Sequence, residues 1–368
     1  MKIVEIIPTF YPVGGAEKIT CDLCLSFLNK EEVDDIFVVC LYSNNKDNYL
    51  IGKLKAKGIK VFFLDKTKGV DFKCAKKLRK IILDIKPDVI HCHLNTILTI
   101  FLSRLCGKYP IFYTFHTLIS EKTYGNKNKP INLLNKYLMK TGKLIPISIS
   151  NNISVSISQY YKIPLSKIFC IPNGVTLESF PYLTKLKERG GDFIYIGRFI
   201  NIKRPKLIIE AFEHLLESRK DCRLLMLGDG PCLEDCKKYV LEHKLDTNIC
   251  LKGFVNEPVK YLQQSKVLVL ASEYEGNPIV CNEAIASGVF VLSTEVGGVP
   301  DIISADTGVL VKPNIDSLKL GDAMFQIINN INNVSSVVDQ NIAYNRKRVS
   351  IENTVDKYIQ CFKTKERI

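Results

Sequence analysis

Residues 266–294 read KVLVLASEYEGNPIVCNEAIASGVFVLST. KVLVL is a branched apolar run of strand length, and VFVLST at 289–294 is another. Between them Pro278 suits the first turn of a helix and Gly288 its stop. Strand, loop, helix and strand in that order make a βαβ unit, whose two strands run parallel. Two carboxylates stand out. Glu275 lies in a Gly-Asn-Pro turn, and Glu283 lies about one and a half turns into a helix made, Asn282 apart, of Ile, Val, Cys and Ala. A charge among such neighbours needs a partner or a ligand.

The same alternation runs outward in both directions. Upstream come KIVEII, a helical AEKITCDLCLSFLN, DIFVVCLY, VFFLD, a Lys-rich helix, PDVIHCHL, IFYTFHT, LIPISIS and IFCIPNGV. A polar interval, LESFPYLTKLKERGGD, separates this series from a second one. That second series has DFIYIGR, a helix from about Pro205 to Ser218, RLLMLGDG, NICLKGF and then the opening stretch. The pattern is α/β, with two Rossmann-like parallel-sheet domains facing each other across a cleft. Their expected bounds are 1–175 and 190–350. A C-terminal helix over about 352–368 returns to the first. The Asn-rich INNINNVSS reads as a loop.

The 368 residues are 46% hydrophobic and 24% charged, a globular balance. No stretch approaches the about eighteen apolar residues of a membrane span. The opening MKIVEIIPTFYPVGGAE is an apolar run broken by Glu5 and Pro8, which fits a first strand better than a signal peptide. A cytoplasmic protein is expected, peripheral on the inner face of the plasma membrane. The thirteen cysteines are scattered through apolar segments and read as packing residues. Cys21 and Cys24 form a C-x-x-C with no second pair to complete a metal site. Residues 1–180 carry 26 Lys and Arg against 14 Asp and Glu, whereas the remainder carries 25 against 24. Lysine-rich runs are commonly solvated helix faces, and a biased genome would inflate lysine throughout. The near-neutral second half favours a basic face that meets anionic lipid. Its residues are Lys53, Lys55, Lys57, Lys60, Lys66, Lys68, Lys73, Lys76, Lys77, Arg79 and Lys80, with Lys122, Lys127, Lys129, Lys136, Lys140 and Lys143.

In open parallel sheets ligands bind beyond the carboxyl ends of the strands, so the loops there are candidate sites. YIGRFINIKRP places Arg198 after a strand and Lys203 before the Pro205 helix start. Two cations then meet helix amides, an arrangement that suits a multiply charged anion. LLMLGDGP has Gly228 and Gly230 but lacks the third glycine of G-x-G-x-x-G, which counts against a dinucleotide oxidoreductase. Gly14 and Gly15 offer bare amides between the first strand and first helix. Glu283 can accept two hydrogen bonds from a vicinal diol such as ribose. His91 and His93 share one face of a strand end, but without a third ligand nearby they argue weakly for zinc.

With these residues in place, the chain resembles a retaining glycosyltransferase of family 4 with the GT-B fold. The motifs are Glu275-x7-Glu283 with Gly276, Pro278, Ala284, Ala286 and Gly288, then TEVGGVPDII, IPNGV, GR-x4-K, LGDGP, KGF and GGAE, in the order the family uses. The resemblance implies that Arg198 and Lys203 hold a donor diphosphate and Glu283 its ribose. Glu275, with the amides of Gly276 and Asn277, would contact the donor sugar. Gly228, Gly253, Phe254, Pro278 and Ile279 complete the donor region, and the Gly15 backbone approaches the phosphates. His116 stands beside the reacting sugar, with His93 and Thr117 in the acceptor region. Asp301, where many members have Glu, and Asn277 depart from the pattern. No cofactor or metal is expected.

The implied reaction moves a hexose or N-acetylhexosamine from a nucleotide sugar, UDP-linked, to a glycan or lipid-linked acceptor of cell-surface polysaccharide. The implied partners are donor, acceptor and an anionic membrane surface, with no nucleic acid. A nucleotide-sugar 2-epimerase and a catalytically inactive binding subunit are the alternatives. The intact set Arg198, Lys203, Glu275 and Glu283 argues against the latter.

Overall fold

A computed structural model describes residues 1–11, 14–43, 48–119, 129–181 and 184–364. The chain divides into two compact units, Met1–Gly174 with Ile351–Ile368, and Val175–Ser350.

The first unit holds β1 (Lys2–Ile7), α1 (Gly15–Phe27), β2 (Asp35–Cys40), α2 (Tyr49–Ala56), β3 (Lys60–Phe63), α3 (Phe72–Ile85), β4 (Val89–His93), α4 (Ile97–Leu102) and β5 (Ile111–Phe115). It continues with α5 (Lys129–Lys140), β6 (Ile145–Ser148), α6 (Asn151–Tyr161) and β7 (Phe169–Cys170). The strands form one parallel sheet in the order β3-β2-β1-β4-β5-β6-β7. The order reverses between β1 and β4, which is where such sheets open a ligand crevice. Helix starts follow local chemistry. Asn48, Asp71 and Ser150 cap α2, α3 and α6 by accepting hydrogen bonds from first-turn amides.

The second unit holds β8 (Gly191–Ile196), α7 (Pro205–Ser218), β9 (Leu224–Leu227), α8 (Leu233–Glu242), β10 (Ile249–Gly253), α9 (Val259–Gln263), β11 (Ser265–Leu270), α10 (Ile279–Ala286) and β12 (Phe290–Thr294). After β13 (Gly308–Val311) come α11 (Ser317–Asn329) and α12 (Ile331–Arg348), and α13 (Ile351–Lys363) belongs to the first unit. Its sheet order is β10-β9-β8-β11-β12-β13, again parallel, with the reversal between β8 and β11. Val267, Leu268, Val269 and Leu270 are all buried, as a central parallel strand covered on both faces requires. α13 lays Tyr358 and Phe362 against Phe27 of α1, with ring centroids 6.4 and 6.0 Å apart.

Two expectations need correction. INNINNVSS is the junction of α11 and α12, and it is helical on both sides of Asn330. Ile331, Val334 and Val338 recur at helical spacing and pack on the core of the second unit, which overrides the poor helix propensity of the asparagines. Pro278 is the extended cap residue before α10 and not part of its first turn. The helix is therefore short, and Glu283 is the fifth of its eight residues.

Candidate functional site

In the second unit Arg198, Lys203 and Glu275 lie in the loops after β8 and β11, the two strands that flank its topological reversal. Arg198 follows β8 and is exposed, while the Tyr195 hydroxyl donates to its carbonyl at 2.8 Å. Lys203 ends a 3₁₀ turn over Asn201–Lys203, and Arg204 after it is left-handed, with φ 47°. The Arg204 guanidinium donates to the Ala271 carbonyl at 2.6 Å and to the Pro313 carbonyl at 2.7 Å. The Glu273 amide donates to Ile202 at 2.8 Å. These bonds tie the loop after β8 to the loop after β11. The result is that Lys203 Nζ lies 2.5 Å from both oxygens of Glu275.

Glu275 is itself tightly held. The Ser272 hydroxyl donates to its Oε1 at 2.7 Å, and the Gly298 amide donates to its carbonyl at 3.1 Å. Gly297 has φ 55°, and a Cβ there would stand 1.5 Å from the Glu275 carbonyl oxygen, so only glycine lets the two loops approach. Gly228, at the end of β9, has φ 136°, and a Cβ would meet the Gly197 carbonyl at 1.8 Å. Asn277, Pro278 and Glu283 are buried, whereas Gly276 and Ile279 are half-buried. Gly253 closes β10 with φ 78°, and the Phe254 ring after it is exposed. Arg198, Lys203 and Arg204 thus lie with Glu275 in the loops at the carboxyl edge of one sheet, beside the start of α7, and Glu283 lies in α10 just beyond. Such a constellation can neutralise a diphosphate and bond sugar hydroxyls.

In the first unit, Gly15 opens α1, with Gly14 as its cap residue. The Glu17 carboxyl folds back over Gly14, and burial pushes its pKa up. His93 ends β4, His116 follows β5, and Thr117 is exposed. His93 Nδ1 is 3.0 Å from His116 Nε2. Behind this pair is a residue that sequence reasoning missed. Glu5 on β1 is in register with His91 on β4, and its carboxylate meets His91 Nδ1 at 3.0 Å and His93 Nε2 at 2.8 Å. His91 Nε2 meets the Thr114 hydroxyl at 2.8 Å, and Thr114 meets the Tyr358 hydroxyl at 3.1 Å. Glu5, His91 and His93 are fully buried.

A third metal-capable group therefore does accompany the two histidines, contrary to the sequence reading. Among the described residues, Glu5, His91 and His93 offer ligand atoms within 4.8 Å of one another. The strand register made this so. β1 and β4 are neighbours in space although their residues are far apart in the chain. Both histidines already bond to Glu5, which is the satisfaction that buried polar groups require. Burial would raise the Glu5 pKa, but the facing histidines more than offset it and hold the carboxyl down at about 2. Burial and the neighbouring His91 lower His93 to about 4 despite Glu5, and burial together with His93 holds His116 well below the usual histidine range. The Cys21 and Cys24 thiols are buried in α1, and burial pushes Cys21 up to about 12, as a packing role demands.

Two such parallel sheets, each with polar residues at its carboxyl edge, are the architecture of the GT-B fold. Residues 13–179 match the family described as Glycosyltransferase Family 4, and residues 184–347 match Glycosyl transferases group 1. The chain belongs to family 4 of the glycosyltransferases and has the GT-B fold. It is 28% identical to UDP-Gal:alpha-D-GlcNAc-diphosphoundecaprenol alpha-1,3-galactosyltransferase of Escherichia coli, over 72% of each chain. Identity to the capsular polysaccharide biosynthesis glycosyltransferase CapH of Staphylococcus aureus is 28%, over 77% of this chain and 78% of that one. The crystal structure of Anabaena Alr3699/HepE in complex with UDP superposes with a TM-score of 0.81 at 15% identity, covering 99% of this chain and 100% of the other.

Proposed function

We propose that this glycosyltransferase takes a hexose or N-acetylhexosamine from a UDP-linked donor. It transfers the sugar, with retention of anomeric configuration, to a hydroxyl of a glycan or lipid-linked acceptor in cell-surface polysaccharide assembly. The observation that carries the reading is the Lys203–Glu275 pair at the β8/β11 reversal, beside the start of α7. The galactosyltransferase relative has a UDP-sugar donor and a diphosphoundecaprenol acceptor in its name, and the HepE structure holds UDP.

In this reading Arg198 and Lys203 stabilise the charge that builds on the diphosphate as the glycosidic bond breaks. Glu283 binds the ribose hydroxyls. Glu275 exchanges part of its bond with Lys203 for a donor-sugar hydroxyl, aided by the Gly276 and Asn277 amides. His116, with His93 and Thr117 nearby, orients the acceptor. The acceptor hydroxyl attacks from the face the phosphate leaves, and the phosphate oxygen takes its proton. With two cations on the diphosphate the reaction needs no metal. Proton NMR of the first-formed glycoside tests this directly. Its anomeric coupling should match that of the donor, and an inverted product would contradict it.

The first unit also carries a surface suited to anionic lipid. Phe72, Lys76, Arg79, Phe101, Tyr137 and Lys143 line one groove. Lys73, Lys77 and Lys80 are exposed on the same α3, and Leu133 is exposed on α5. Lys122 and Lys127, and the Lys129 side chain, lie outside the described residues. Basic residues gain about 1 kcal/mol each close to such a surface, and apolar side chains beside them can enter the headgroup layer. No helix among the described residues is long and apolar enough to cross a membrane. Sedimentation should show binding to anionic vesicles that fades with salt. It should weaken when Lys73, Lys76, Lys77 and Lys80 are replaced by Gln. Absence of binding at low salt would refute the surface.

A further inference from the structure

The buried cluster of the first unit has a direction. An ionised carboxylate has no proton, so each ring nitrogen facing Glu5 must carry one. His93 therefore donates from Nε2, and as a neutral ring it keeps a bare Nδ1. That atom faces His116 Nε2 at 3.0 Å, so the proton between them belongs to His116. His116 is then left with a bare Nδ1. On the other side, His91 donates from Nδ1 to Glu5, its Nε2 meets the Thr114 hydroxyl at 2.8 Å, and that hydroxyl meets the Tyr358 hydroxyl at 3.1 Å. Both arms converge on Glu5. The other titratable groups close to Glu5, the Cys24 and Cys92 thiols and the Tyr358 phenol, are held neutral by burial.

We propose that Glu5 is a positioning residue that fixes the tautomer of His116 through His93, so that His116 Nδ1 is an obligatory acceptor for a hydroxyl of the acceptor sugar. The second half of this statement rests on the transferase role given to His116 above, and the first half does not. Glu5 touches no substrate. It acts two residues away, at the middle of a chain of contacts across β1, β4 and β5 that ends at Tyr358 of α13.

Long-range proton–nitrogen correlation on protein with 15N-labelled histidine reads the tautomers in the unaltered chain. His116 should be protonated at Nε2 and bare at Nδ1, and His93 likewise. A His116 Nδ1–H tautomer would overturn the assignment. So would stoichiometric zinc that is bound by the purified protein and lost on Glu5→Gln. In folded Glu5→Gln, which loses the negative charge and has one acceptor oxygen in place of two, the His116 signal should shift or split. Turnover should fall at least about tenfold with donor KM unchanged, since a wrong tautomer in a catalytic triad costs far more. In a His116→Ala background, Glu5→Gln should cost nothing further. A purely structural Glu5 would lower stability while leaving the His116 tautomer and turnover as they were, and that result would sink the proposal. If His116→Ala alone leaves turnover intact, the function assigned to His116 fails, and with it the substrate half of the proposal. The tautomer readout still decides the half that concerns Glu5.

Discussion

Lys203→Ala is expected to lower turnover by about two to three orders of magnitude, the range seen when one preorganised donor to developing negative charge is removed. It should also lower stability. Lys203 and Glu275 side chains are 20% and 9% exposed, so the substitution leaves a largely buried carboxylate without its counter-charge, at a cost of about 3 kcal/mol. Arg198→Ala separates the two effects. Its side chain is exposed, so turnover should fall comparably while the unfolding midpoint stays near that of the unaltered protein. Steady-state kinetics and thermal unfolding on the two variants check this. Full turnover in Arg198→Ala would mean that the diphosphate is not held between these cations.

Glu283→Gln and Glu275→Gln should fail in different ways. If Glu283 accepts the ribose hydroxyls, its amide loses a charge-assisted bond, worth about 1.5 to 3 kcal/mol, and UDP affinity falls ten-fold or more. If Glu275 serves the sugar, its amide keeps UDP affinity and loses turnover. Titration calorimetry with UDP, alongside kcat, distinguishes them. Equal losses of UDP affinity in both variants would mean that the two roles are wrongly divided. Glu275→Gln also removes the partner of Lys203, so its unfolding midpoint should be measured with it.

Local signals made part of this molecule readable in advance. Pro278 and Gly288 bracket α10, and the apolar runs on either side had to be buried parallel strands, so the β11–α10–β12 unit and its two carboxylates were legible. Arg198 and Lys203 were legible for a similar reason, because each lies within a few residues of a strand end or helix start. Glu5 was not. A lone acid in KIVEII looks like an interruption of a strand, and the histidines that explain it lie 86 and 88 residues further on, across a β1–β4 pairing that local pattern does not encode. An ionisable residue in the middle of a buried parallel strand was the available signal, since it must have a partner. The start of α12 was hidden by composition. Asparagine suggested a loop, while the spacing of Ile331, Val334 and Val338 already carried the helix.

A thermal-shift series with UDP, GDP and ADP, each with and without EDTA, tests the donor assignment most directly. A nucleotide at a hundred times its dissociation constant adds about 2.7 kcal/mol of stability, a shift of several degrees or less in a chain of this size. UDP should raise the midpoint whether or not EDTA is present, GDP and ADP should raise it less, and Glu283→Gln should abolish most of the UDP effect. No stabilisation by any of the three, or stabilisation that appears only when a divalent metal is added, would contradict a donor site built from Arg198, Lys203 and Glu283.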